Sequence, residues 1–306
     1  MDIYGEIKNI EYTPLLFRDN LNEYALSDLD LAFRTDSVFM LNVDDKNKVA
    51  VSWWVSAKRT RSYPFSRVYN TLGFSGKRVT IIPIFKDEGI GGDRDFIQWD
   101  TVSLMSLLGV NVIIAYYKTA EKNPRFDDKI TNQRFDVDYV ISQIKSLMNY
   151  QSDPLHWNLK QLDNIGKLAE TALEKYSIIS DYTNVYMKSK SSALSRINTL
   201  KGDKDEFMKS SRKLAKEAQH RETLTIHKNE SISYGEKATI TINNYLGGCY
   251  YFTADEAKVD SHGNVYLVEA KNSTSGNMPS IDDIKEGLIK MVLFCNLFEV
   301  SIQTNY

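Results

Sequence analysis

The chain has 306 residues, 42% of them hydrophobic and 25% charged, with a formal net charge of −2. That balance suits a globular protein with ample core, in one large domain or two smaller ones, and argues against an unselective polyanion binder. Two cysteines exclude a disulfide framework and a cysteine-based zinc site, no apolar run has the length of a bilayer span, and no signal peptide opens the sequence. A cytoplasmic protein without a membrane partner is the expectation.

Residues 51–80 contain Lys58, Arg59, Arg61, Arg67, Lys77 and Arg78 and no Asp or Glu. Trp53, Trp54, Tyr63, Phe65, Tyr69 and Phe74 are interleaved with them. Cations for phosphates beside aromatic rings make this stretch the candidate DNA surface; core aromatics with a solvated basic loop are the alternative. Residues 79–85 read as a buried strand, 100–108 as a helix ended by Gly109, and 110–117 as a second buried strand. The intervening 86–95 holds three glycines but neither a G-K-[ST] nor a G-x-G-x-x-G pattern, which argues against a nucleotide cradle. Its acids Asp87, Glu88, Asp93 and Asp95, close to Arg94, leave a polar loop and a second metal site both open.

Residues 135–150 and 154–179 carry apolar side chains at helical spacing, Val137, Val140, Ile141, Ile144 and Leu147 among them, as a core or dimer face does. Residues 188–192 have the most linker-like composition. The expected division is an N-terminal α/β region over 1–135 with the DNA contacts, and a helical segment plus a C-terminal core over 136–306. Basic residues on an expected helix at 201–228 are balanced by acids including Glu217. His156, His220, His227 and His262 show no zinc spacing, and no Ser/His/Asp or Cys/His set is visible.

The densest chemistry lies at 253–272. Asp260 to Asn264 form a turn signal, and Val265 to Val268 a β-branched and aromatic strand after it. A hairpin centred on His262 sets Val259 opposite Val265, Ala257 opposite Leu267, and Asp255 opposite Glu269. Lys271 then shares the face of Glu269. Two like charges directly opposed repel, and a divalent cation between them reverses the sign. Two carboxylates suit Mg²⁺, and a lysine beside them can orient a water or stabilise a phosphorane. An exposed polar hairpin with incidental acids is the alternative, and a one-residue slip would put Glu256 in place of Asp255. A strand at 238–242 precedes the hairpin. A helix at 281–295 follows, capped by Ser280, with Ile281, Ile284, Leu288, Met291 and Cys295 inward and Asp282, Lys285, Glu286 and Lys290 opposite.

This pattern resembles the PD-(D/E)xK nuclease superfamily, which includes most type II restriction endonucleases. Asp255 matches its first acid, Glu269 the second and Lys271 the lysine; Ala254 replaces the proline of the name. The resemblance covers about residues 238–295. It implies an α/β (mixed α+β) core with a central mixed sheet flanked by helices. It further implies a Mg²⁺-dependent endonuclease hydrolysing double-stranded DNA, with Asp255 and Glu269 on the metal, Lys271 positioning the attacking water, and Glu217 as a possible further acid. A homodimer and a partner DNA methyltransferase go with a restriction enzyme. A repair, junction-resolving or defence nuclease shares the motif, and a non-catalytic DNA-binding module is the alternative outside enzymes.

Overall fold

The computed structural model describes residues 1–13, 20–57, 64–201, 216, 236–271 and 278–303. The chain is a mixed α/β protein that divides into two compact units, Pro14–Phe207 and a second made from both ends, Met1–Thr13 with Met208–Tyr306. The first strand, β1 (Asp2–Ile7), already belongs to that second, terminal unit.

The Pro14–Phe207 unit is built on a five-stranded sheet. It contains β2 (Glu23–Ala25), β3 (Val38–Asn42), β4 (Lys48–Trp53), β5 (Lys77–Pro83) and, at the far edge, β8 (Asn111–Ala115). α1 (Leu29–Thr35) and α2 (Pro64–Tyr69) connect its early strands. β4, β5 and β8 run parallel, and every residue of β8 is buried, as the continuous apolar run at 110–117 demands. The run at 79–85 is not one strand. β5 ends at Pro83, and β6 (Phe85–Asp87) pairs instead with β7 (Arg94–Phe96), so the expected loop at 86–95 is a small hairpin. α3 (Trp99–Leu107) follows, and Gly109, at φ +67°, supplies the left-handed residue that ends it.

The expected boundary at 135/136 is not where the chain divides. β9 (Tyr117–Lys122) and β10 (Ile130–Phe135) form a hairpin, then α4 (Val137–Met148) and α5 (Pro154–Asp163) return to the same sheet. As an edge strand, β8 has outward N–H and C=O groups that need partners. α5 supplies them: Asn158 Oδ1 accepts from the Val112 amide at 2.6 Å, and the Trp157 indole donates to the Val112 carbonyl at 2.8 Å. From α4, the Tyr139 hydroxyl donates to the Ile114 carbonyl at 3.2 Å. The helical segment thus completes the N-terminal sheet. α6 (Ile165–Thr183) ends at Asn184 in the left-handed region, and α7 (Lys190–Lys201) follows.

The linker-like residues 188–192 are also tied down. Arg94 Nη2 donates to the Lys188 carbonyl at 2.6 Å and Nη1 to the Ser189 carbonyl at 2.9 Å, while Nε holds the buried Asp87 at 2.7 Å. The expected helix at 201–228, with Glu217, lies outside the described residues apart from Lys201 and Lys216.

The terminal unit carries a mixed sheet in the order β13-β12-β11-β1-β14, with β11 (Glu236–Asn244), β12 (Cys249–Val259), β13 (Val265–Val268) and β14 (Phe298–Gln303). β1 runs parallel to β11, with Ile3 beside Ile240, and antiparallel to β14. Ile3 and Ile7 alternate inward with Tyr4 and Glu6 outward, a period of two that gives β1 one buried and one exposed face. Between β13 and β14 the chain passes through α8 (Ile281–Cys295), whose Phe294 meets Phe252 of β12 edge-on at 6.1 Å. Among the described residues no helix is long and apolar enough to cross a membrane.

Because β1 is paired on both edges and Ile3 is buried, Ile3→Ala is expected to cost about 2–5 kcal/mol, the range for a buried isoleucine cut to alanine. Chemical denaturation with limited proteolysis checks this: the fragment lost first should come from the terminal unit, and first loss of 14–207 would contradict the assignment.

Candidate active site

The β12–β13 hairpin has the register expected of it: Val259 pairs with Val265 and Ala257 with Leu267. The ladder ends at Glu256 opposite Val268, so Glu256 is not the residue facing Glu269. On its other edge, β12 carries an extra residue against β11, since Ala238 pairs with Ala254 but Glu236 with Ala257. This bulge falls at Asp255 and Glu256. It lets Ala254 and Ala257 both point into the core, and it re-aims the acid between them. Asp255 Oδ2 then accepts from the Ala270 amide at 2.7 Å, clasping the chain just past the end of β13.

Glu269 and Lys271 meet directly. The Lys271 ammonium lies 2.6 Å from Glu269 Oε1, and the Glu269 side chain is only 5% exposed. Burial works against the charge on Lys271. The hydrogen bond to Glu269, followed by the charges of Glu269, Asp255 and Glu286, outweighs it and holds the ammonium above its ordinary pKa. Lys271 is therefore a permanent cation at neutral pH, suited to steadying negative charge and not to taking a proton.

α8 sits differently from the expectation. Its buried positions are Lys285, Gly287, Ile289, Leu293 and Phe294, while Ile281 and Cys295 of the expected inward stripe are exposed. The helix is rolled so that part of its polar side meets the hairpin. Gly287 permits the approach, because a Cβ there would stand 3.3 Å from Lys271 Cε and 3.4 Å from Glu269 Cγ. Lys290, expected in solvent, places its ammonium 2.8 and 3.0 Å from the two oxygens of Glu269. Sequence reasoning missed this residue because a stripe of five apolar side chains outweighed the possibility that a lysine had a buried carboxylate to meet.

The other candidates belong to the Pro14–Phe207 unit. Arg67 donates to the Trp53 carbonyl at 2.7 Å and lies over the Trp53 ring. Lys77, its pKa lowered by burial, donates to the Leu147 carbonyl at 3.0 Å at the end of α4. Arg78 donates to the Leu72 carbonyl at 3.2 Å and the Gly109 carbonyl at 3.1 Å. These three cations brace their own unit through backbone carbonyls. Lys58, Arg59 and Arg61 lie outside the described residues.

At 86–95, Asp87 is held by Arg94 and by the Gly89 amide, Glu88 pairs with Lys86 at 3.1 Å, and Asp95 accepts from Ser56 at 2.8 Å. These acids stabilise a hairpin. Among the described residues, no group of three or more His, Cys, Asp or Glu is arranged to hold a metal ion. The same unit has a cavity of about 690 Å³ whose lining includes Trp53, Tyr117, Phe126, Lys86, Lys129 and Arg134.

No protein-family model matches the chain, and no curated protein or solved structure matches it significantly.

The raised pKa of Lys271 has a definite consequence for stability. A lysine whose folded pKa exceeds its unfolded value contributes stability that is fully present below the unfolded value and is lost as pH rises through the folded one. Lys271→Met should therefore lower the melting temperature equally at pH 7 and pH 9, with the difference from the parent shrinking above pH 10.5. Melting curves across that range test it; a difference that already shrinks between pH 7 and pH 9 would show that Lys271 is not held charged.

Proposed function

We propose that the chain is a Mg²⁺-dependent endonuclease of the PD-(D/E)xK type that hydrolyses double-stranded DNA, with a type II restriction enzyme as the specific form. The observation that carries this reading is the meeting of Asp255, Glu269 and Lys271 at one end of a hairpin, with the Lys271 ammonium 2.6 Å from Glu269. The donor set fits the ion. Two carboxylates give hard oxygen ligands, and Mg²⁺ keeps its remaining positions for water and phosphate, so a third protein acid is not required.

Asp255 and Glu269 would hold the ion, which when bound supplies a Lewis acid and a water of lowered pKa. Lys271 would steady the negative charge that grows on the phosphoryl oxygens as water adds to phosphorus and the ester oxygen departs. The Ala270 amide keeps Asp255 turned toward the same end of the hairpin. Cutting both strands of a palindrome calls for a symmetric dimer, and a restriction enzyme calls for a methyltransferase protecting the same sequence.

Incubation of the full chain with plasmid and phage DNA, in Mg²⁺ and in EDTA, tests the reading. Discrete bands that need Mg²⁺ are expected. Asp255→Asn and Lys271→Ala should each slow cleavage by about 10²–10³-fold, as removal of one transition-state contact commonly does. Unchanged activity in Lys271→Ala would sink the site, and smearing or branched-DNA cleavage would point to another nuclease of the same superfamily.

The cavity in the Pro14–Phe207 unit favours a second component, DNA binding outside the hairpin. Its cations and rings are a combination that phosphates and bases prefer; Glu88 of the lining pairs with Lys86, and Lys129 lies 4.9 Å over the exposed Phe126 with no ion-pair partner among the described residues. Lys129→Ala with Arg134→Ala should weaken DNA binding and flatten its salt dependence, each phosphate contact contributing about 0.9 to the logarithmic slope. Filter binding at several salt concentrations measures this; an unchanged slope would remove the cavity from the DNA path.

A further inference from the structure

Glu269 faces more positive charge than a structural ion pair requires. Lys271 occupies Oε1 at 2.6 Å, while Lys290 reaches Oε1 at 2.8 Å and Oε2 at 3.0 Å. Both ammoniums converge on a carboxylate that is 5% exposed. They come from different elements, Lys271 from the segment after β13 and Lys290 from α8, so their convergence reflects how the helix is seated. Lys290 spans both oxygens of the acid, which is how a small cation would also engage it. Its ammonium also lies 3.4 Å from the Thr253 carbonyl, an acceptor on β12 that leaves it a partner if the carboxylate turns elsewhere.

We propose that Lys290 is the resident counter-ion of Glu269, standing in for a divalent cation. It keeps the carboxylate aimed in the metal-free protein, and it withdraws toward the Thr253 carbonyl when a metal ion binds there. This inference rests on the metal-binding reading of Asp255 and Glu269. Its physical basis is Coulombic: an ammonium and a divalent cation are like charges that cannot both lie in contact with one carboxylate at low cost. Lys271 already pairs with Oε1, so a structural ion pair does not require the second ammonium. The second ammonium therefore opposes the incoming metal, and metal affinity is set by a competition that Lys290 enters as a tethered rival. Lys290 is a positioning residue here; nothing places it against the scissile phosphate.

The test uses the full-length protein without DNA and Mn²⁺ alone as the probe, with free Mn²⁺ followed by electron paramagnetic resonance. Wild type, Lys290→Met, Lys290→Arg and Glu269→Gln are titrated, and each is melted in EDTA and in saturating Mn²⁺. Lys290→Met should bind Mn²⁺ about tenfold more tightly than wild type, the size of effect expected when one like charge beside a ligand is removed. It should melt below wild type in EDTA and recover in Mn²⁺, and Lys290→Arg, which keeps the charge, should restore both wild-type values. If Lys290→Met is too unstable in EDTA to titrate but folds in Mn²⁺, the competition is supported by that recovery. Equal or weaker Mn²⁺ affinity in Lys290→Met, with binding still lost in Glu269→Gln, overturns this inference alone. Wild type and Glu269→Gln binding alike, or neither binding, overturns the metal reading beneath it and the inference too.

Discussion

The register of one short hairpin governs what the terminal unit can do. Side chains on a strand alternate, so a slip of one residue between β12 and β13 would carry every acid on them to the other face. Val259 opposite Val265 and Ala257 opposite Leu267 leave no freedom for that slip. The turn enforces the same register, because Asp260 Oδ1 accepts from the amides of His262 and Asn264, and Gly263 takes φ +82°. On the opposite edge, the bulge against β11 adds one residue at the acid-bearing position. A straight strand would have set Asp255 across from Ala254 with respect to the core. The bulged one buries both flanking alanines and still delivers a carboxylate to the end of the hairpin.

Once the acids share a place, electrostatics decides what else must be there. A carboxylate as buried as Glu269 needs partners that compensate for the water it has lost. Lys271 and Lys290 meet that demand, and Gly287 lets the helix come close enough for them to do so. The roll of α8 follows from the same requirement. Part of the helix's polar side meets the buried acid, while Ile281 and Cys295 are left exposed. Fold and site therefore select one another: the helix that covers the sheet is seated by the charge it neutralises.

Much of this was legible from residue spacing. Alternation and turn chemistry located β11, β12 and β13 and the pairing of β12 with β13, and Ser280 marked the start of α8, whose Asp283 amide it caps at 3.1 Å. What spacing could not express was anything set by distant partners. β1 has an alternating pattern over only six residues, and its partner β11 begins more than two hundred residues later, as the pairing of Asp2 with Thr239 shows. The boundary at 135/136 failed for a related reason. Hydrophobic periodicity identifies α4 and α5 as helices, but the polar residues Asn158 and Tyr139 decide which strand edge they complete. A basic, acid-free stretch likewise looked like a surface for phosphates, whereas Arg67, Lys77 and Arg78 find backbone carbonyls.

The path of the chain adds a constraint on assembly. In the terminal sheet β1 is paired on one side with β11 and on the other with the edge strand β14, while the whole of Pro14–Phe207 lies between β1 and those partners in sequence. Contacts of such long separation carry a loop-closure cost that an already compact insertion reduces, because a folded unit brings its own ends into a limited volume. The sheet that holds the acids can close only after residues at both ends of the chain are in place. The hairpin that carries Asp255 and Glu269 is local in sequence and sets its own register, whereas the sheet it extends is complete only with strands from both ends of the chain.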